Sequence, residues 1–457
     1  MARISTDLCI IGAGSGGLSL AAGAVQMGAR VVLIEGGEMG GDCLNAGCVP
    51  SKALLAVSRR AVDFAASRDY VADVITRIAP ADSQARFEGL GVRVIRAWAS
   101  FLSPREVQAG DNVITARRFV IATGSQPLVP GIPGLAAVAY LTNETIFALR
   151  EKPEHLVIIG GGPIGVEMAE AHRRLGCAVT LIEGARALGR DDPEAAALVL
   201  AALRAQGVTV LEGQAVSSVA AGPVVTLADG NQVSGSHLML AVGRKVALER
   251  LNLAAAAVDF TAKGVTVDSA LRTSNTRIYA VGDAAAGWQF THVAAYQAAV
   301  VLRQVVLGLP GKVRGDHIPW VTFTDPELAQ VGLTEAEARA RHGAALTVVR
   351  ADFAQNDRVV TDGAATDGAE VGFVKVMVVR ARPVGVTIVG QGAGELIGLW
   401  ALALSQKLKL SAVAAMVLPY PTRNEASKRA AGAYFSPKLF DSPVIKRLVR
   451  LVQRFVP

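Results

Sequence analysis

Two cysteines, Cys43 and Cys48, stand five positions apart in the segment Gly40-Gly41-Asp42-Cys43-Leu44-Asn45-Ala46-Gly47-Cys48-Val49-Pro50-Ser51-Lys52. Thiols beside glycines, entering a helical stretch read here as 53–61, gain from the partial positive charge of a helix N-terminus. Their pKa values fall, and thiolate chemistry opens near neutral pH. A redox pair is favoured. A zinc site would need further Cys or His ligands at matching spacing, and the six histidines are scattered. The remaining two cysteines, Cys9 within an apolar strand and Cys177 just before one, read as small buried hydrophobes. Four cysteines in 457 residues cannot be a disulfide scaffold.

The elements around the pair carry a second kind of chemistry. An apolar strand pattern at 7–11 runs into Gly12-Ala13-Gly14-Ser15-Gly16-Gly17, a helix-like stretch at 18–27, and a second strand at 31–34 that ends on Glu35. This is a dinucleotide fingerprint in its proper context. Gly12 permits the tight turn, Gly14 lets backbone approach a pyrophosphate, Gly17 lets the helix pack close, and the helix start offers N–H donors. The same order recurs at 156–159, with Gly160-Gly161-Gly162-Pro163-Ile164-Gly165, a helix through Leu175, and a strand at 179–182 ending on Glu183. Both glycine-to-glutamate offsets are 23 positions. Two copies with one offset predict two dinucleotide-binding domains. A strand-end glutamate accepts hydrogen bonds from a ribose and repels a 2′-phosphate, so Glu183 favours NADH. Arg186 and Arg190 follow closely and leave NADPH open.

The composition excludes other classes. At roughly 150 residues per domain, the length suggests about three domains. Hydrophobic residues make up 51% of the chain, and the 47 glycines exceed the usual share of about 7%, which excludes disorder and collagen-like repeats. Mean hydropathy is +0.38, yet no apolar run reaches the roughly 18 residues needed to span a bilayer. The stretches at 390–404 and 410–418 read as buried core. The N-terminal apolar run belongs to the first fingerprint rather than to an export signal, and the reading is cytoplasmic. Lys and Arg number 46 against 39 Asp and Glu, a net +7 without one basic face, so no nucleic-acid partner is implied. Beyond the second fingerprint, 208–242 is strand-rich. Strands at 373–379 and 384–389 read as a hairpin around Arg382-Pro383, within an antiparallel α+β domain beginning near residue 316.

Taken together, the cysteine segment and the two fingerprints resemble the flavoprotein disulfide reductases, the class I pyridine nucleotide-disulfide oxidoreductases that include dihydrolipoamide dehydrogenase, glutathione reductase and mercuric reductase. Further segments add to the resemblance: Ala122-Thr123-Gly124-Ser125, Ala241-Val242-Gly243-Arg244, Tyr279-Ala280-Val281-Gly282-Asp283, Thr324-Asp325-Pro326-Glu327 and Val331-Gly332-Leu333-Thr334-Glu335. It implies an α/β fold class with two Rossmann-like domains, for FAD and NAD, and a C-terminal α+β dimerisation domain. The implied boundaries are 1–150 with 266–315 for FAD, 151–265 for NAD(P), and 316–457 for the dimer interface. The implied FAD contacts are Gly12, Gly14, Gly17, Glu35, Gly41, Asp42, Lys52, Ala99, Thr123, Gly124, Ser125, Gly282 and Asp283. Those for the nicotinamide cofactor are Gly160, Gly162, Gly165, Glu183 and Gly243. Hydride would pass from NADH to the flavin and on to a Cys43/Cys48 disulfide, with Cys48 against the flavin, Cys43 facing substrate, and Lys52 paired with Glu167 near the flavin edge. A homodimer and a small-molecule acceptor, either a lipoamide-like disulfide or a soft metal ion, are implied. Direct flavin chemistry on quinones or oxygen, or a flavin redox sensor without turnover, are the alternatives.

One motif departs from the family. Thiol-handling members carry His-Pro-Thr and an orienting Glu near the C-terminus, supplied by the partner subunit; here the segment reads Tyr420-Pro421-Thr422-Arg423-Asn424-Glu425. An unperturbed tyrosine titrates near 10 and is a poor base at pH 7, whereas histidine titrates near 6.5. Mercuric reductase tolerates a tyrosine there, but it also uses a C-terminal cysteine pair, and the last cysteine here is Cys177. Finally, Val444, Leu448, Leu451, Val452 and Phe455 recur at helical spacing among Lys446, Arg447, Arg450 and Arg454. The tail 441–457 is read as a basic amphipathic helix packed on its own dimer, with a membrane surface as the alternative.

Overall fold

The computed structural model describes residues 2–60, 62–363 and 372–456. The chain forms two compact units: Met1–Ala185 with Gly207–Arg314, and Arg186–Gln206 with Gly315–Pro457.

The larger unit holds both glycine fingerprints. Strand Ala2–Ile11 lies parallel to Val31–Glu35 on one side and to Asn112–Ile121 on the other, with Arg93–Arg96 beyond Val31–Glu35. Strand Asn112–Ile121 shares its far edge. Its first half pairs antiparallel with Glu106–Ala109, and its last residues pair parallel with Ile278–Ala280. Central strands such as Cys9, Ile10, Val120 and Ile121 are buried on both faces, as an apolar run without alternation requires. The second fingerprint builds a parallel sheet in the order Thr209–Glu212, Ala178–Glu183, His155–Ile159, His237–Leu240. A short antiparallel pairing of Ser125–Pro127 with Arg244–Val246 connects the two Rossmann layers.

The smaller unit is a five-stranded antiparallel sheet in the order Pro319–Thr322, Glu327–Gly332, Arg382–Gly390, Phe373–Val379, Leu346–Asp352. One face, carrying Val374, Val376, Val386 and Ile388, packs with Ile397 and Trp400 of helix Ala393–Ser405 and Ala430 of helix Glu425–Ala433. The alternate residue Lys375 is buried and ion-paired to Asp192, Glu194 and Glu335. Burying that ammonium is tolerable only because carboxylates surround it.

Three local readings are corrected. The hairpin turns at Arg380–Ala381, both with positive φ, and Arg382-Pro383 starts the second strand. Proline fits there because the pairing shifts register between Met377 and Val378, opposite Pro383. The helix read as 53–61 runs Cys48–Ser58, since Gly47 ends the preceding loop and Pro50 is tolerated in a first turn; Ala61 lies outside the described residues. The stretch 410–418 is core only in part: Leu410 and Val413 are buried, but Val417 is exposed.

Candidate active site

The glycine turns show why a side chain is excluded at some positions and not at others. A Cβ on Gly12 would sit 2.3 Å from the Ala122 carbonyl oxygen, and one on Gly17 would sit 1.9 Å from the Gly12 carbonyl oxygen. At Gly14 it would meet nothing within 4 Å. The second copy repeats this: 2.4 Å from Ala241 at Gly160, 1.9 Å from Gly160 at Gly165, and open space at Gly162. Helices Ser15–Gln26 and Pro163–Arg174 both start on these glycines without a side-chain cap, so their first N–H groups face the opening. Each strand-end glutamate folds back onto its own turn. Glu35 accepts from the Ala13 and Gly37 amides at 2.5 and 2.7 Å, and Glu183 from the Gly161 and Ala185 amides at 2.7 and 2.9 Å.

Helix Cys48–Ser58 begins on the second cysteine itself. Gly40 and Gly41 take left-handed conformations ahead of the short helix Gly41–Asn45, which carries Cys43. Both thiols are free; Cys43 is half-buried and Cys48 exposed. Hydrogen bonding from Cys43 pulls the Cys48 pKa down to about 6, against some desolvation, with help from the Thr291 hydroxyl and the Lys52 charge. The same contact, with burial, pushes Cys43 well above the usual thiol range. Cys48 is therefore largely thiolate at neutral pH, and Cys43 keeps the shared proton. The Thr291 Oγ1 lies 3.5 Å from Cys48 Sγ, delivered by the first residue of helix Thr291–Val305. Lys52 Nζ donates to Glu167 Oε2 at 2.7 Å and to Ser51 Oγ at 3.3 Å.

A polar chain runs beside the cysteines. Arg244 pairs with Asp42 at 3.2 Å and donates to the Ser125 hydroxyl at 2.7 Å, while Ser125 donates to Asp283 Oδ2 at 2.6 Å. Burial raises the Asp283 pKa, opposed by Ser125 and Arg244. Asn143 Nδ2 donates to Asp42 Oδ1 and to the Ala46 carbonyl, clamping the loop between the two cysteines. The Thr123 hydroxyl is buried without a hydrogen-bond partner. Gly124 and Gly282 adopt positive φ next to Ser125 and Asp283, Gly243 does so beside Arg244, and Ala99 is buried at the start of its strand. Arg244, Asn143 and Thr291 escaped the sequence reading as site residues. Arg244 had a signal, as the last residue of a quoted motif, and Thr291 lay in the segment Phe290-Thr291-His292-Val293-Ala294 that follows the second such motif.

Tyr420 and Glu425 belong to the smaller unit. Tyr420 is 71% exposed and its hydroxyl donates to Asp357 Oδ2 at 2.7 Å, which raises its pKa further. Glu425 accepts from the Thr422 amide at 3.3 Å and caps its own loop. His172 is fully buried; burial and then the Arg68 charge hold its pKa near 3 against its hydrogen bond to the Met168 carbonyl, and His155 bonds Thr180. His292 stacks on Phe290. Cys9 and Cys177 are buried, and burial raises both thiols.

Residues 6–298 match the family model described as pyridine nucleotide-disulphide oxidoreductase, and residues 318–431 match its dimerisation domain. The chain belongs to this family. Mercuric reductase from Bacillus cereus is 33% identical over 93% of this chain and 70% of its own length, and that from Streptomyces lividans 33% over 95% and 97%. Dihydrolipoyl dehydrogenase from Geobacillus stearothermophilus is 31% identical over 94% and 96%. Among solved structures, the Cu(II) complex of the HOCl-induced flavoprotein disulfide reductase RclA from Escherichia coli superposes with a TM-score of 0.86 at 27% identity, over 94% of this chain and 99% of that one.

Pyridine nucleotide-disulphide oxidoreductases are FAD-dependent and use NAD(P)H. The residues here fit FAD: open space at Gly14, uncapped helix N–H groups, the partnerless Thr123 hydroxyl and the Asp283 carboxylate are groups that a dinucleotide would satisfy. No helix among the described residues is long and apolar enough to cross a membrane.

Proposed function

We propose that this protein is an NADH-dependent homodimeric enzyme that passes electrons through the Cys43/Cys48 pair to a soft metal ion. The observation that carries this reading is a thiolate-ready pair in a chain whose family proton-shuttle position holds Tyr420, with its hydroxyl tied to Asp357. Reducing a disulfide substrate requires proton delivery to a leaving thiolate. A soft ion held by two sulfurs requires none.

In this reading the FAD domain is 1–150 with 266–315, the NAD domain is 151–265, and 316–457 forms the dimer interface. Gly12, Gly14, Gly17, Glu35, Gly41, Asp42, Ala99, Thr123, Gly124, Ser125, Gly282 and Asp283 would hold FAD, and Gly160, Gly162, Gly165, Glu183 and Gly243 would hold NADH. Bound there, FAD would supply two-electron transfer from the nicotinamide to the Cys43/Cys48 disulfide. Cys48 is kept anionic by hydrogen bonding from Cys43, then by Thr291 and the Lys52 charge; Lys52 in turn is held by Glu167. Cys43 yields its proton as the metal ion binds, because only thiolates ligate. Asn143 and Arg244 fix Asp42 and so the loop between the sulfurs. Support comes also from the relatives named mercuric reductase and from the Cu(II) complex of RclA.

The test is anaerobic NADH oxidation by flavin-loaded enzyme with Cu(II) or Hg(II) against lipoamide, in wild type and Cys43→Ser. Metal-dependent turnover that the variant loses is the expected result. Undiminished NADH oxidation by a quinone in Cys43→Ser, without metal turnover in the wild type, would move the chemistry to the flavin itself.

A further inference from the structure

The last helix of the chain, Pro443–Phe455, has no buried residue among its thirteen. It is nonetheless specified by its own sequence. The Ser442 hydroxyl accepts from the Ile445 amide at the N-cap, and Pro443 occupies the first helical position. At 100° per residue, Val444, Ile445, Leu448, Leu451, Val452 and Phe455 fall on one side. Lys446, Arg447, Arg450 and Arg454 fall on the other, with no acidic residue after Asp441. The apolar side is bare: Val444 is 72%, Leu448 57% and Phe455 71% exposed. A helix this short is marginal in water on propensity alone, so a surface that covers its apolar side is what stabilises it.

The charges decide which surface. The dimerisation-domain match ends at residue 431, before this helix begins. A second copy of the helix would cover the apolar side, but Arg447 borders that side along one edge, with Arg454 just beyond it. Across an antiparallel two-helix seam, those like charges would face one another. Against a layer of lipid phosphates the same residues extend their stems over the apolar edge and place their cations at the headgroups. At about 1.5 Å per residue the helix is roughly 20 Å long, against roughly 30 Å of hydrocarbon, so it lies in the interface and does not span it.

We infer that helix Pro443–Phe455 docks this protein on an anionic phospholipid surface, with its apolar side in the acyl boundary and Lys446, Arg447, Arg450 and Arg454 at the headgroups.

The experiment is flotation of the flavin-loaded full chain with vesicles of phosphatidylcholine containing one quarter phosphatidylglycerol, and with phosphatidylcholine alone. The protein floats with the anionic vesicles only, and raising the salt releases it. Leu448→Asp reduces the bound fraction by about tenfold or more, and Arg447→Gln with Arg450→Gln by about twenty-five-fold, near fivefold for each cation. NADH-dependent flavin reduction stays at the wild-type level in all variants, which reports that they fold. No flotation with anionic vesicles, or flotation that Leu448→Asp leaves intact, overturns the proposal. So does loss of the dimer in a chain ending at Asp441 that floats no differently from the full chain, since the helix would then be sealing a second copy.

Discussion

Lys52 Nζ donates to Glu167 Oε2 across 2.7 Å, joining the helix that starts at Cys48 to the helix that opens the second glycine turn. The Glu167 side chain is 4% exposed and that of Lys52 is 35% exposed. Lys52→Met therefore takes from the buried Glu167 carboxylate its hydrogen-bonded cation, and removes a positive charge from the neighbourhood of Cys48. Breaking fully buried pairs costs about 3–5 kcal/mol; with water reaching Lys52 the loss here is about 2 kcal/mol. Urea unfolding of the reduced protein measures that loss. The pH dependence of iodoacetamide alkylation should show the Cys48 midpoint moving up from about 6.

Thr291 acts on the same sulfur through a hydroxyl 3.5 Å away. Thr291→Val keeps the shape and removes the donor. One hydrogen bond of about 1 kcal/mol corresponds to somewhat under one pKa unit, so the alkylation midpoint rises by roughly that much with little change in the unfolding midpoint. An unmoved midpoint would detach Thr291 from the thiolate.

The depressed Cys48 pKa links stability to pH. The group titrates at about 6 when folded and near 9 when unfolded, so between those values the unfolded chain binds the extra proton and stability rises with pH. Its contribution is fully present above about 9 and is lost as pH falls through about 6. The raised Cys43 thiol works in the opposite sense, at pH values above this window. Reduced wild type should thus gain stability from pH 6 to 9 relative to reduced Cys48→Ser. The disulfide form, with nothing to titrate, should not.

The Glu183 oxygens accept from the Gly161 and Ala185 amides, and in the proposed reading a 2′-phosphate on the nucleotide would meet this carboxylate. Glu183→Ala should raise kcat/KM for NADPH relative to NADH by about tenfold or more, because like charges brought together cost several kcal/mol. Steady-state kinetics with both nucleotides check it, and an unchanged ratio would place the ribose elsewhere.

The fold was legible because its signals are local. Each glycine turn is written in consecutive residues, and the shared spacing from Gly12 to Glu35 and from Gly160 to Glu183 gives the repeat away. What was not legible depends on residues meeting from distant parts of the chain. Thr291 reaches Cys48 from 243 positions later, and Asn143 reaches Asp42 from 101 positions away. A threonine opening a helix looks like any other, so no spacing rule selects it. Helix Cys48–Ser58 was read too late because Gly47 and Pro50 interrupt helical propensity, although proline in a first turn costs no hydrogen bond. Arg380–Ala381 was missed as a turn because neither residue favours positive φ, and Pro383 drew the turn forward.

The sharpest prediction concerns Tyr420. Its hydroxyl donates to Asp357 at 2.7 Å, and that carboxylate raises the phenol pKa above its ordinary value near 10. A group that deprotonates only in strong alkali cannot take up or return a proton at pH 7. Replacing it with an imidazole, Tyr420→His, restores a base that titrates near 6.5 and gives Asp357 a ring N–H to accept from. General acid-base assistance is typically worth about 10²- to 10⁴-fold. Anaerobic NADH oxidation with lipoamide should therefore be negligible in the wild type and rise by about 10²-fold in Tyr420→His, with a pH profile that turns over near neutrality. Metal-ion turnover needs no such proton and should stay within a factor of a few. Fast lipoamide turnover in the wild type would instead show that the missing histidine is no barrier, and the acceptor would then be a disulfide rather than a metal ion.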